Sequence, residues 1–175
     1  MNLVEFKRWE NNLSRLHFPK WEELPSLGLY VDQVAAVINE YLTSLGMEPL
    51  TKSMINNYVK KKTIQAPIKK KYAVNQIVDL LLIGFFKNTF AIDDIRQGIL
   101  QITANDYPKQ AYDRFVEILN ARLKNETVPN NPNFNPANER LMNFGIDAVL
   151  AGLKSRHLLA VMMKLNQKDG LQDEK

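Results

Sequence analysis

Apolar residues recur every three or four positions along most of the chain, which is the period of helices with one buried face. The first clear run lies between Tyr30 and Leu45. Gly46 follows as a residue type that ends helices, and Pro49 prevents continuation. The pattern therefore predicts a helix over Tyr30–Leu45.

A second helix is predicted from Lys52 to about Lys62, with Thr51 as its N-cap. Its two faces differ in polarity. The apolar face carries Met54, Ile55, Tyr58 and Val59, and the opposite face carries Lys52, Ser53, Asn56, Asn57 and Lys60. The following segment, Thr63–Lys71, contains Pro67 and predicts a loop or a short β-ribbon.

Further helices are predicted after this segment. They cover Val74–Lys87, the stretch marked by isoleucines from Ile92 to Ile102, Asp106–Lys124, and a last helix from Pro136 to about Asn166. The helix at Val74–Lys87 is apolar over most of its circumference, which predicts a central position. A linker rich in Pro and Asn, Val128–Pro136, precedes the last helix, and Asn135 is the predicted N-cap.

Positive charge is concentrated in one part of the sequence. The stretch Pro49–Val78 contains seven lysines and no Asp or Glu. The formal net charge of the whole chain is +4, so the remainder of the chain carries −3. A local basic patch attracts a polyanion more strongly than a modest net charge implies.

These features together suit a helix-turn-helix that reads the major groove of DNA, followed by a lysine-rich wing. An Asn side chain can form paired hydrogen bonds with adenine, so Asn56 and Asn57 are candidates for base recognition. Lysines bind phosphates without reading sequence. The candidate DNA-binding residues are Lys52, Ser53, Asn56, Asn57, Tyr58, Lys60, Lys61, Lys62, Lys69, Lys70 and Lys71.

Less specific interpretations fit the same residues. Lysine runs are most often solvated surface, and Asn on a helix face is most often exposed without a role. The surface would also suit an acidic protein, so a non-enzymatic protein–protein interaction module is the alternative. Single-stranded RNA is less favoured, because the basic segment offers only Tyr58 and Tyr72 for base stacking.

The segment Met54–Ile99, from MINNYVKKK to DDIRQGI, resembles the DNA-binding head of bacterial regulators of the mercury-resistance (MerR-like) type. Tyr58 matches the tyrosine of the recognition helix, Pro67 and Lys71-Tyr72 match the wing, and Ile92–Ile95 match the final helix of the head. The resemblance implies a winged helix-turn-helix that binds double-stranded DNA.

Two positions depart from the MerR-like pattern. Asn56 and Lys62 stand where those heads usually have an Arg and a Gly, so contacts of that Arg do not carry over. Over a wider span, WEELPSLGLYVDQV (Trp21–Val34) followed by LTKSMINNYVKKK (Leu50–Lys62) resembles an uncharacterised bacterial family, domain of unknown function number 1836. That resemblance implies a MerR-like head and a helical remainder.

The predicted fold class is mainly α, with little or no β structure beyond a short wing ribbon. The predicted division is an N-terminal arm (1–29), a winged helix-turn-helix DNA-binding domain (30–103), a helix (104–127), a linker (128–136) and a C-terminal helix (137–175). The arm is expected to be irregular, with room for one short amphipathic helix, and to be anchored by Trp9 and Trp21.

The last helix carries apolar residues on two faces. One face has Leu141, Phe144, Ala148, Ala151, Ser155, Leu158, Met162 and Leu165, and the other has Ile146, Val149, Leu150, Leu153 and Val161. Such a helix is either central to the core or packs once within the protomer and once against a partner. Because helix-turn-helix proteins usually bind DNA as dimers, our hypothesis is a homodimer through Leu141–Leu165.

No catalytic pattern is visible in the sequence. The chain has no cysteine, which excludes disulfides and thiolate metal sites and fits a cytoplasmic location. Its two histidines, His17 and His157, lack neighbouring ligands, and His157 is expected to be a hydrogen-bonded core residue or a helix cap. We expect no enzymatic activity, no cofactor, no bound metal and no membrane span.

Overall fold

The computed structural model describes residues 3–170, and seven α-helices form most of this range. They are α1 (Val4–Leu13), α2 (Val31–Ser44), α3 (Lys52–Lys60), α4 (Val74–Phe86), α5 (Ile92–Thr103), α6 (Pro108–Leu123) and α7 (Pro136–Gly170). The prediction of a mainly α protein is confirmed. The first two residues of the predicted arm, and residues 171–175 of the predicted C-terminal helix, lie outside the described residues.

The helix ends follow the capping residues that the sequence predicted. The Thr51 hydroxyl accepts a hydrogen bond from the Met54 N–H at 3.1 Å, and the Asn135 side chain accepts one from the Ala137 N–H at 2.9 Å. These bonds satisfy backbone donors that have no partner inside the helix. After α2, Gly46 has a φ of 76°, which glycine adopts without strain.

Helix α4 lies at the centre of the fold, as its apolar composition predicted. Every α4 residue after Asn75 is buried or half-buried. The Phe85 ring lies 5.5 Å from that of Phe115 on α6, and Phe86 lies against Gly145 on α7. Buried residues from all five predicted segments join one hydrophobic cluster around α4, so these segments share a single core.

The connection between α3 and α4 contains backbone pairing, although the described residues contain no β-strand. Ile68 pairs with Lys71, and Leu29 pairs with Tyr72, each as an isolated antiparallel bridge. The second bridge has hydrogen bonds of 3.0 and 2.8 Å and ties the connection to the segment before α2. The predicted wing ribbon is therefore limited to one tight turn and one bridge.

The N-terminal arm packs on the last two helices through its tryptophans. Trp9 of α1 stacks on His157 of α7 with ring centroids 4.1 Å apart, and Trp21 meets Tyr112 of α6 edge-on at 6.3 Å. Both tryptophans therefore anchor the arm as expected. The expectation of a hydrogen-bonded His157 is wrong at Nε2, which is buried without a hydrogen-bond partner among the described residues. Stacking on Trp9 accounts for the position of the imidazole instead.

A buried ion pair fixes the predicted linker between α6 and α7. Arg114 donates from Nε to the Glu139 carboxylate at 2.7 Å and from Nη2 to the Pro129 carbonyl at 2.6 Å. Glu139 also accepts a hydrogen bond from the Asn131 N–H at 3.1 Å. Because both charged side chains are buried, their mutual pairing and these backbone bonds are needed to offset desolvation.

Helix α2 crosses α4 at Gly84, where space allows no side chain. A Cβ at this position would lie 2.5 Å from Cδ1 of Leu42, which is fully buried on α2. Such a contact forces neighbouring atoms to move within a filled core. Glycine therefore sets the distance between the two helices.

Replacing Gly84 with Ala should lower the free energy of unfolding by about 1–3 kcal/mol, because the methyl group must displace Leu42. Gly98→Ala on α5 is the control, since its added Cβ would meet no atom within 4 Å. That variant should be about 1 kcal/mol more stable than the wild type, as a mid-helix glycine is removed. Urea unfolding followed by circular dichroism measures both, and a Gly84→Ala variant as stable as the wild type would contradict this helix crossing.

Candidate nucleic-acid interface

Helices α2 and α3 are joined by residues 45–51, and Asn39 fixes this connection. Asn39 donates from Nδ2 to the Leu50 carbonyl at 2.9 Å and accepts from the Leu50 N–H at 2.7 Å. The two bonds hold the start of α3 against α2. The connection is longer than the three- or four-residue turn typical of a helix-turn-helix. Periodicity did not single out Asn39, because its partner lies outside its own helix.

Helix α3 presents its predicted polar face to solvent. All five residues of this face, which we call the α3 polar face, are exposed: Lys52, Ser53, Asn56, Asn57 and Lys60. Tyr58, one of the predicted DNA contacts, is only 7% exposed and packs in the core. Burial also raises the pKa of its hydroxyl. Tyr58 therefore anchors α3 to the core and does not belong to the exposed surface.

Lys62, the second residue after α3, has a backbone conformation that usually belongs to glycine. Its φ is 58°. The Thr63 N–H donates to the Tyr58 carbonyl at 2.8 Å, and the Lys62 N–H donates to the Val59 carbonyl at 3.0 Å. This pair of bonds is the Schellman motif, whose left-handed residue costs any side chain with a Cβ about 1–2 kcal/mol. Lys62 stands where the MerR-like pattern has Gly, so the helix end keeps its shape with a strained lysine.

The second lysine triplet forms a tight turn. Ile68 and Lys71 exchange two backbone hydrogen bonds, of 3.1 and 2.9 Å. Between them Lys69 and Lys70 have φ values of 48° and 63°. Two-residue turns with positive φ at both positions usually contain Asn-Gly, because those residues tolerate this conformation. Here both positions carry exposed lysines.

Lys71 is held against the segment that precedes α2. Its ammonium lies 5.6 Å from the centroid of the exposed Tyr30 ring, within reach of a cation–π interaction. Its stem packs over Gly28, where an added Cβ would approach the Lys71 Cβ to 3.0 Å. The last lysine of the connection is therefore less free to move than its charge alone suggests.

A buried glutamine attaches the α3–α4 connection to α4. Gln76 is 4% exposed, accepts from the Ala73 N–H at 2.7 Å, and donates from Nε2 to the Gln65 carbonyl at 2.9 Å. A Gln at the third position of a helix is a recognisable capping signal, which could have identified the first bond. The second bond joins residues 11 apart and leaves no pattern in the sequence.

One carboxylate lies beside the α3 polar face. Asp32, in the first turn of α2, forms an exposed ion pair with Lys52. The other lysines of the region form no ion pair with any described residue. We call them the lysine surface: Lys60, Lys61, Lys62, Lys69, Lys70 and Lys71. Their charges are therefore available to a polyanion.

A protein-family model described as a domain of unknown function, DUF1836, matches residues 19–115, which is more than half of the chain. The chain belongs to this family. The prediction made from Trp21–Val34 and Leu50–Lys62 is thus confirmed. The DUF1836 region contains the whole α3 polar face and lysine surface, and it ends within α6.

Comparison with curated proteins and with solved structures gave no match, so neither comparison supports the MerR-like resemblance. Within residues 3–170, no group of three or more His, Asp or Glu side chains is placed to hold a metal ion. No helix in the described part of the chain is long and apolar enough to cross a membrane.

Lys62→Gly should raise the free energy of unfolding by about 1 kcal/mol, because glycine adopts a positive φ without strain. Lys61→Gly is the matched control, since it removes the same charge from a residue whose φ is −80°. The control should not gain stability. Urea titration compares the two, and a Lys62→Gly variant no more stable than Lys61→Gly would contradict the helix end described above.

Proposed function

We propose that this protein is a DNA-binding transcriptional regulator without catalytic activity, whose α3 polar face enters the major groove. The observation that carries the proposal is an exposed helix face free of acids that continues directly into lysines without ion-pair partners. Double-stranded DNA is a dense polyanion, and lysines that bind its phosphates release counterions. The combination supplies both a reading face and an electrostatic contact.

The strained backbone of the lysine surface supports a role beyond solubility. Among the described residues, the non-glycine residues with positive φ are Lys62, Lys69, Lys70 and Asn125. Asparagine tolerates this conformation, whereas each lysine costs about 1–2 kcal/mol relative to an unstrained residue. Strained residues of this kind occur preferentially where function requires them. In the proposed regulator, phosphate binding requires positive charge at Lys62, Lys69 and Lys70.

In the proposed complex, the residues of α3 and of the lysine surface have different tasks. Asn56 and Asn57 contact base edges, where an Asn amide matches the donor and acceptor of adenine. The lysines contact phosphates and set affinity and register. Lys52 is bound to Asp32, but exposed ion pairs are weak, so Lys52 can exchange the carboxylate for a phosphate.

We further propose that the regulator is a homodimer formed through α7. The face with Ile146 and Val149 is buried within the protomer, whereas Leu141, Phe144 and Met162 on the other face are 46%, 61% and 37% exposed. Large apolar side chains exposed along one helix favour a partner surface. A two-fold dimer would present two α3 helices to paired half-sites on DNA.

The triple variant Lys60→Glu, Lys61→Glu, Lys62→Glu should abolish binding to duplex DNA, because it places carboxylates against the phosphates. The matched control changes Lys7, Lys20 and Lys124 to Glu, which alters net charge equally at exposed sites outside the lysine surface. Fluorescence anisotropy at several salt concentrations measures both. Unchanged binding by the first variant would contradict the proposal, and equal loss in both would assign binding to net charge alone.

The same assay tests the interaction-module alternative. A wild-type chain that does not bind duplex DNA at low salt would contradict the regulator. Retention of the chain by an acidic protein surface, lost in the Lys60–Lys62 variant, would then favour a module that binds an acidic partner.

Light scattering of the wild type at micromolar concentration should give twice the mass of one chain. Phe144→Glu should give the mass of one chain with unchanged helix content, because Phe144 is exposed and the charge opposes only association. Tyr107→Glu is the control, as Tyr107 is 77% exposed but lies outside α7. A wild-type mass equal to one chain would contradict the dimer.

A further inference from the structure

A cavity of about 410 Å³ lies between α4, α5, α6 and α7. It is partly open to solvent, and its wall includes Val78, Leu82, Ile99 and Met142. The volume is in the range of sites that hold small organic molecules, on the order of 300–1,000 Å³. None of the residues of the α3 polar face or the lysine surface lines it.

Gly98 keeps one wall of the cavity open. It lies in the interior of α5, where a glycine costs about 1 kcal/mol relative to alanine. Packing does not require it, because an added Cβ would meet no atom within 4 Å. A larger side chain here would extend into the cavity. Gly98 therefore lowers helix stability and leaves the cavity beside it unfilled.

Aromatic rings form much of the remaining wall. They are Trp21, Phe86, Phe90, Tyr112 and Phe115. The face of an aromatic ring carries negative electrostatic potential, so an organic cation that contacts a ring face is favoured over an anion of the same shape.

The charged residues of the wall favour the same ligand. They are Asp79, Asp94 and Arg96, with a net charge of −1. Asp79 and Arg96 form an ion pair of 3.1 Å in which the Asp79 side chain is 20% exposed. Burial raises the pKa of Asp79 although Arg96 acts to lower it, so the ion pair does not fully compensate the buried carboxylate. A second cation near Asp79 would add the missing compensation.

We infer that this cavity binds a lipophilic organic cation: a compound with an apolar body of aromatic-ring size and one ammonium group. The body occupies the space between the aromatic rings and Gly98, and the ammonium lies towards Asp79 and Asp94. The inference does not depend on DNA binding, because it rests on a different part of the chain.

Isothermal titration calorimetry of the full chain tests this with two probes that share one ring system and differ in charge. (1-Naphthylmethyl)trimethylammonium should bind at one site per chain, and 1-naphthylacetate should bind at least about tenfold more weakly. Equal affinity for both probes would show that only apolar contact matters, and preference for the acetate would assign the site to Arg96. Either result, or no heat with the cation, overturns the proposal.

Variants separate this cavity from other binding sites. Asp79→Asn should weaken the cation about tenfold, whereas Asp93→Asn, a neighbouring acid that does not line the cavity, should leave it unchanged. Gly98→Leu should occupy the part of the cavity beside α5 and weaken cation binding without lowering the melting temperature, and Gly98→Ala should retain binding. Wild-type affinity in a folded Gly98→Leu variant would place the ligand elsewhere and overturn the assignment.

No DNA is present in these titrations. Their failure would therefore leave the proposed regulator untouched, and loss of DNA binding in the lysine variants would leave the cavity proposal untouched.

Discussion

Helix α4 is apolar on almost every face and must be buried, and this requirement determines where the other helices lie. Only Asn75 among its residues is exposed. Its burial requires cover on every face: α2 approaches at Gly84, α6 through Phe115 and α7 at Gly145. The connection from α3 must then cross the surface to reach α4, and Gln76 attaches it there. The exposed lysines thus depend on a rigid apolar centre.

At two places in this fold, a different residue type would make the protein more stable. One is the lysine surface, where Lys62, Lys69 and Lys70 occupy backbone conformations suited to Gly or Asn. The other is the interior of α5, where Gly98 leaves space unfilled. Local departures from the most stable choice are typical of functional sites. Gln65 belongs to the connection that carries the lysines and also lines the cavity.

Periodicity located the helices correctly, because burying one face imposes a repeat of three to four residues. Capping residues located their ends, as Thr51 and Asn135 show. Bonds between distant residues leave no such repeat, so the Arg114–Glu139 pair and the Asn39 bonds to Leu50 could not be predicted. Tyr58 illustrates a different difficulty.

Tyr58 lies on the apolar face of α3, yet it is among the residues predicted to contact DNA. The structure buries the Tyr58 ring in the core, so the apolar face and not the DNA contact describes its position. Backbone conformation at Lys62 was equally hard to predict, because lysine disfavours the positive φ that the Schellman hydrogen bonds impose.

Sequence recognition is tested by selecting duplexes from a random-sequence DNA library with the purified chain. The best duplex and a scrambled one are then compared in a salt titration. We expect a shared, roughly palindromic site, a steep salt dependence, and a loss of about 1–3 kcal/mol of discrimination per base contact when Asn56 and Asn57 are replaced by Ala. Weak, salt-sensitive binding to both duplexes with no shared site would contradict it.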